Sequence, residues 1–374
     1  KKNKKLNAFV LLNKETSLKE AEVATQEIFE GKIKSFLHGL PVAHKDLYMT
    51  KGIKTTAGSK LLKDNIPEFD STVVKKLSNN GMIMIGKLNT HEFAYGPTGE
   101  ISYFGASKNP WCLDRITGGS SSGSGAAIAG RLVPLASGSD TGGSIRMPAA
   151  CCGITGLKPT YGRVSKYGVI PLCWTMDHSG PLAKSAYDCA MFLQVCAGFD
   201  KKDKTSSKNI VPNYLQLIDK DVKGIKIGIP DNYFFENTQN EIVKKVEDVL
   251  NFFEKRGAIL KKINIKDIEY SASAALAIYL SEATAYHDKE LRNNSDLYSD
   301  SVKTFLRLGD HILAKDYIAA QRFRTLLGEN LYKIFKDVDV IATPGITITA
   351  PKIGQSEIDI NGKVQDVFST LLHN

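Results

Sequence analysis

Apolar positions along this chain recur with two periods, and the elements they predict take turns. Residues 17–30 (SLKEAEVATQEIFE) carry apolar side chains at helical intervals behind an acidic start, and residues 73–80 read as a second helix. Residues 82–85 are a short apolar run closed by Gly86, which reads as a buried strand, and residues 40–43 (LPVA) are another that leads into Lys45. Further on, residues 224–230 (GIKIGIP) are a strand between breakers, residues 241–256 are an amphipathic helix stopping at Gly257, and residues 259–265 return as strand. Long helices are expected over residues 271–292 and 315–336, and a strand over residues 338–344. Strands alternating with helices predict an α/β layered architecture.

Two stretches follow neither period: TGGSSSGSGAAIAG at residues 117–130 and SGSDTGGSIR at residues 137–146. A Gly/Ser run is usually a flexible linker. This one passes directly into residues 126–135, whose apolar composition is that of a buried helix. No Pro-rich tract, charge block or repeat marks a linker, so the 374 residues are expected to form one domain, 1–374. A phosphate loop also opens on glycines, but its Lys-Ser/Thr ending is missing here.

Serine hydroxyls, glycines that let the backbone approach a reacting carbonyl, and the upstream Lys45 are the equipment of a serine amide hydrolase without histidine. A serine hydroxyl is a weak nucleophile until a base takes its proton, and a lysine can do so only as the neutral amine. An exposed lysine, with a pKa of about 10.4, is almost fully charged at neutral pH. Lys45 is therefore expected to be buried, where desolvation disfavours its charge.

These segments together carry a resemblance. GGSSSGSGAAIAG, then LVPLASGSDTGGSIRMPAACCGITGLKPTYGRVS, then the upstream PVAHKD resemble the amidase signature family of Ser-Ser-Lys hydrolases, and the likeness extends through KLNTHEFAYG and the NPW at residues 109–111. It implies a mixed β-sheet covered by helices on both faces, with a signature core at about residues 40–200. The resemblance makes Ser144 the nucleophile, Ser120 the bridging serine and Lys45 the base, and implies a cis peptide between Gly119 and Ser120. Backbone amides of Thr141, Gly142, Gly143 and Ser144 would form the oxyanion hole, where side chains would block close approach. Gly119, Ser121, Asp140 and Arg146 are expected to support the loop, the last two as a charge pair. By family analogy Phe93, Tyr95, Gly96 and Thr98 line the acyl pocket, although the aromatics could equally pack beneath the Gly/Ser loop; Trp174 carries the same ambiguity.

No acid-His-Ser signature accompanies His44, His91 or His178, and Tyr95 stands where a zinc helix beginning at His91 needs its second histidine. His44 is expected to point away from Lys45. Neither a metal nor a cofactor is expected. The formal charge of +9 comes from lysines spread along the chain, and defines no stripe for nucleic acid. Six cysteines without a CxxC pair predict reduced thiols in a cytoplasmic protein, and no apolar run is long enough to cross a bilayer. The chain stops at Asn374, where the family continues through a further segment, so residues needed for full activity are expected to be missing.

The expected partner is a small-molecule amide, with no membrane. HEFAYGPTG, DHSGP at residues 177–181 and EATAYHDKELR at residues 282–292 resemble free amidases. The alternative is the A subunit of glutamyl-tRNA(Gln) amidotransferase, which would bring two partner subunits and tRNA. Oligomeric state is not readable.

Overall fold

The apolar run before Lys45 becomes the middle of a six-stranded sheet. The computed structural model, which describes residues 2–373, forms strands β1 (Phe9–Leu12), β2 (Pro41–Lys45), β3 (Ile83–Leu88), β4 (Leu135–Asp140), β5 (Thr155–Gly156) and β6 (His178–Ala183), in the order β1-β3-β2-β4-β6-β5. β2 runs parallel to β3 and β4, while β1, β6 and β5 pair antiparallel with their neighbours, so the sheet is mixed. β3 does not end at Gly86 as its sequence suggests. It passes through to Leu88, because a glycine there leaves room for the Leu11 carbonyl of β1.

Helices cover both faces, and the alternation along β2 and β4 decides which side chain meets which. These helices are α1 (Lys14–Phe29), α2 (Thr72–Asn79), α3 (Ser122–Ala129), α4 (Arg146–Cys152) and α5 (Ala186–Cys196). Val42 and Leu135 pack on one face against Val73, Val74 and Leu77 of α2 and Phe192 and Leu193 of α5. Ala43 and Ala136 pack on the other against Ala126, Ala127 and Ile128 of α3. Successive residues of a strand point to opposite faces, so Lys45 shares the α3 face with Ala43.

The helix expected over residues 126–135 is displaced. α3 begins inside the Gly/Ser run, at Ser122, and stops at Ala129; Arg131 turns to φ +55° and Leu135 already opens β4. Gly123 lies against the backbone of Asn89 with no space for a Cβ. The glycines here serve close packing, which is the opposite of linker flexibility.

Two compact units can be distinguished within the chain. One runs through Ile218 and includes Asp288–Lys303 and Lys352–Gly354; the other comprises Asp219–His287, Thr304–Pro351 and the stretch from Gln355 on. Each is assembled from separated segments, which is why no linker composition marks a boundary. In the second unit β7 (Lys226–Pro230), β8 (Ile259–Ile263) and β9 (Val340–Ile341) make a parallel sheet in the order β8-β7-β9, and α6 (Asn240–Lys255) packs Leu250 against Ile227 and Ala258. The strand expected over residues 338–344 pairs at only two positions. The long helices expected downstream form as α7 (Ser271–Asn293) and α8 (Ala314–Ile334). All six cysteines are free thiols, and no helix among the described residues is long and apolar enough to cross a membrane.

Candidate active site

Lys45 ends β2 with no exposed surface, its ammonium nitrogen enclosed between two hydroxyls. Nζ donates to Ser120 Oγ at 2.6 Å and to Ser139 Oγ at 2.9 Å, and the Lys45 backbone N–H donates to Ser137 Oγ at 3.1 Å. Burial pushes this amine down to about 7, although the charges of Asp140 and Asp177 oppose the shift. At neutral pH a large share of Lys45 is therefore the neutral amine that can accept a proton.

Ser120 lies just before α3 and is fully buried. The peptide between Gly119 and Ser120 is cis. The Ser120 carbonyl accepts from the His91 backbone N–H and from Thr90 Oγ1, each at 3.0 Å. A Cβ at Gly119 would meet the Gly99 amide nitrogen at 2.6 Å, so this position has no room for a side chain. Ser121 ties the two Gly/Ser segments together: its N–H donates to the Ser144 carbonyl at 3.2 Å and its Oγ donates to the Ser139 carbonyl at 3.2 Å.

Between β4 and α4 the chain makes the second loop, built around Asp140. This buried carboxylate accepts from the backbone N–H groups of Gly143 and Ile145 at 2.8 and 3.1 Å, and from Arg146 Nε and Nη2 at 3.0 and 2.9 Å. Burial would raise its pKa, but the Arg146 charge and these hydrogen bonds hold it at about 2. The loop is thus fixed by a permanent ion pair. Gly143 has φ +122°, a conformation that suits glycine, and a Cβ there would press on Met147. Its amide is given to Asp140. Of the four amides expected to form an oxyanion hole, those of Thr141, Gly142 and Ser144 meet no acceptor among the described residues. Gly142 is exposed, with open space where a Cβ would stand.

Two residues that sequence reasoning gave no role belong to this site. Ser139 is the second partner of Lys45, and a signal for it existed: Ser137 and Ser139 are two apart on β4, hence on one face. Asp177 accepts from Thr141 Oγ1 at 2.5 Å and from the backbone N–H groups of Leu172 and Cys173 at 2.9 and 3.0 Å, while desolvation raises its carboxyl to about 6.

A cavity of about 290 Å³ opens beside Ser139 and Asp177. None of Phe93, Tyr95, Gly96 and Thr98 lines it; Ala94, in their midst, does. Phe93 is buried and packs on Tyr298 with ring centroids 5.5 Å apart, Tyr95 is buried too, and the His91 ring covers Gly96. The aromatics at 93 and 95 therefore belong to the packing beneath the loop. Trp174, by contrast, does line the cavity and is 49% exposed. The histidines stand apart from the hydroxyls. His44 lies within 3.2 Å of Ser137 Oγ, His91 Nδ1 accepts from the Gly99 N–H, and His178 Nδ1 lies 3.1 Å from the Asp140 carbonyl; burial drives their pKa values to about 3, 3 and 4. No cluster of metal-binding side chains occurs among the described residues.

Comparison with known proteins gives the family. A model of the amidase family matches residues 1–372. The A subunit of glutamyl-tRNA(Gln) amidotransferase from Clostridium novyi is 40% identical over 377 residues, 94% of this chain and 78% of that protein. A solved structure described as a vestigial protein complex that reveals the evolutionary origins of an s-triazine catabolic enzyme superposes with a TM-score of 0.95 at 33% identity, covering 99% of this chain and 80% of the other. The A subunit of glutamyl-tRNA(Gln) amidotransferase from Thermotoga maritima superposes with a TM-score of 0.82 at 30% identity, covering 99% and 77%.

Proposed function

Because this chain belongs to the amidase family and is a hydrolase of amide carbon–nitrogen bonds, we propose that it cleaves a small carboxamide through an acyl-enzyme on Ser144, with Ser120 and Lys45 relaying the proton. The observation that carries this reading is the 2.6 Å contact between Ser120 Oγ and a buried lysine whose pKa is depressed to about 7. Such a lysine is available as a base at neutral pH.

In the first half-reaction Ser144 Oγ bonds to the carbonyl carbon, its proton passes to Ser120 Oγ, and the Ser120 proton passes to Lys45 Nζ. The carbonyl π pair moves to oxygen, where the amides of Thr141, Gly142 and Ser144 can receive it; each such donor contributes about 3–4 kcal/mol to many acyl-transfer barriers. Collapse expels the nitrogen, which takes the proton back through Ser120 and leaves as ammonia or amine. Water then attacks the acyl carbon and its proton enters the same relay; as the bond to Ser144 Oγ breaks, that proton returns through Ser120 to Ser144, and the released acid ionises to carboxylate. Six free thiols support the cytoplasm as its compartment.

A second reading rests on the 40% identity to relatives named as the A subunit of glutamyl-tRNA(Gln) amidotransferase: a glutaminase that supplies ammonia to a partner, in an assembly of two further subunits and tRNA. Ammonia release separates the two. The protein is given glutamine, asparagine and a panel of simple amides, with Ser144→Ala in parallel. Turnover of simple amides that the variant loses supports the free amidase. Glutamine hydrolysis that begins only with partner subunits and charged tRNA supports the second reading, and equal turnover by folded Ser144→Ala removes Ser144 from the mechanism.

A further inference from the structure

The cavity beside Ser139 has an asymmetry of hydrogen-bonding capacity that its composition hides. It is lined by two carboxylates, Asp177 and Asp203, and by two lysines, Lys166 and Lys202, so by formal count it is neutral. The carboxylates, however, are engaged by the protein itself. Asp203 accepts from the Lys166 backbone N–H at 2.9 Å and from the Thr205 N–H and Oγ1 at 3.0 and 2.6 Å. Both oxygens of Asp177 accept hydrogen bonds from Thr141 and from the backbone of residues 172–173.

The charge of Lys166 acts on Asp177, but the ammonium groups keep donor capacity that the carboxylates lack as acceptors. Lys166 Nζ donates to the Tyr161 hydroxyl at 3.0 Å and to the Trp174 carbonyl, and sits 4.4 Å from the centre of the Tyr161 ring. Two of its three protons are placed by neutral acceptors, which leaves one to donate elsewhere. Lys202 Nζ lies 4.6 Å from the centre of the Tyr167 ring. An aromatic face steadies a cation but leaves its charge in force. Among the described residues no ion pair takes up either lysine. A volume of about 290 Å³ is at the small end of ligand cavities, which run from about 300 to 1,000 Å³.

We propose that this cavity selects amides whose acyl chain carries an anionic group, such as the monoamide of a short dicarboxylic acid. Lys166 and Lys202 receive the anion, and the carboxamide lies toward Ser139 and Lys45. The proposal rests on the hydrolase reading above and adds the substrate class to it. Charge-assisted contacts from an ammonium are stronger than neutral ones and carry discrimination between an anion and its uncharged isostere.

The test pairs succinamate and glutaramate with butyramide and valeramide, and compares kcat/KM by ammonia release for the wild type, Lys166→Met, Lys166→Arg and Lys202→Met, each checked by circular dichroism. The wild type is expected to prefer the anionic amides. Lys166→Met should cut that preference about tenfold, the size of one lost charged contact, mainly through KM. Lys166→Arg should keep most of it. A wild type indifferent to the carboxylate, or a preference unchanged in both Met variants, overturns the proposal; if Lys166→Met does not fold, Lys202→Met alone decides. Calorimetry with glutarate on Ser144→Ala answers the same question without turnover. If no amide is hydrolysed, the hydrolase reading fails, yet glutarate binding that is weakened by Lys166→Met or Lys202→Met upholds the anion site, and absence of binding removes it.

Discussion

Two lysines on neighbouring strands, Lys45 at the end of β2 and Lys87 on β3, are both completely buried, and they stand in opposite environments. Lys87 Nζ donates to the Tyr48 carbonyl, to Thr55 Oγ1 at 2.7 Å and to Thr50 Oγ1 at 3.3 Å, with Asp46 Oδ1 at 3.5 Å. Burial lowers its pKa to about 8 against the pull of Asp46. Among the described residues Lys45 Nζ meets only hydroxyls, and the nearby Asp140 is already paired with Arg146. A buried ammonium beside its own carboxylate acts as a fixed structural cation. One surrounded by hydroxyls is free to give and take a proton, and this is what the second environment supplies.

Substituting each lysine by methionine, which keeps bulk and removes charge, is the strongest way to break the comparison. Lys45→Met should lose about 10²–10⁴-fold in kcat, the usual contribution of a general base, while remaining folded. Lys87→Met should do the reverse: it strands Asp46 in the interior and should cost about 3–5 kcal/mol in denaturant unfolding, with kcat per folded molecule close to wild type. If the two profiles were exchanged, the roles assigned to the two environments would be wrong.

The pH dependence sharpens the same contrast. In the proposed mechanism Lys45 acts as the neutral amine, so kcat/KM should rise with pH through about 7 and level off above it. One unit below that pKa only about a tenth of the enzyme carries the base. His44, His91 and His178, at about 3 to 4, titrate too low to produce this limb. Asp177, at about 6, is close enough to be a competitor. Asp177→Asn decides between them: the limb should persist, displaced to lower pH because the Asp177 charge no longer holds the Lys45 pKa up, and its disappearance would transfer it to Asp177.

How far the site was legible in the sequence follows from what each residue needs. Lys45, Ser120 and Ser144 stand in segments whose residue types and order fixed the expectation, because close backbone approach leaves glycine and serine little substitute. The distinction between Lys45 and Lys87 was not legible. Both follow short apolar runs, PVAH and IMIG, and only the fold determines that Asp46 lies beside Lys87. The orientation of the aromatics at 93 and 95 was not legible for a related reason. Period and composition mark Phe93 and Tyr95 as apolar, but not whether an apolar ring turns to a cavity or to the core, and the left-handed backbone at Phe93 (φ +50°) and Ala94 (φ +62°) departs from any regular repeat. The α/β class was legible throughout, since it rests on alternating periods. The end of α3 was not, because Gly130 and Arg131 break a helix that composition alone would carry on to Leu135.

Ser139 gives the smallest expected effect and the finest test of how Lys45 is tuned. Its hydroxyl accepts from Lys45 Nζ at 2.9 Å, a contact that favours the charged amine over the neutral one. Ser139→Ala removes that acceptor and leaves the bond to Ser120 intact. The Lys45 pKa should therefore fall further, moving the acidic limb of kcat/KM to lower pH by a few tenths of a unit, with kcat reduced by less than about tenfold, in line with the loss of one hydrogen bond. Ser120→Ala, which cuts the relay, should cost far more. A limb displaced to higher pH would mean that Ser139 favours the neutral amine, and a loss in Ser139→Ala equal to that in Ser120→Ala would make Ser139 a member of the proton relay rather than a neighbour that sets the base.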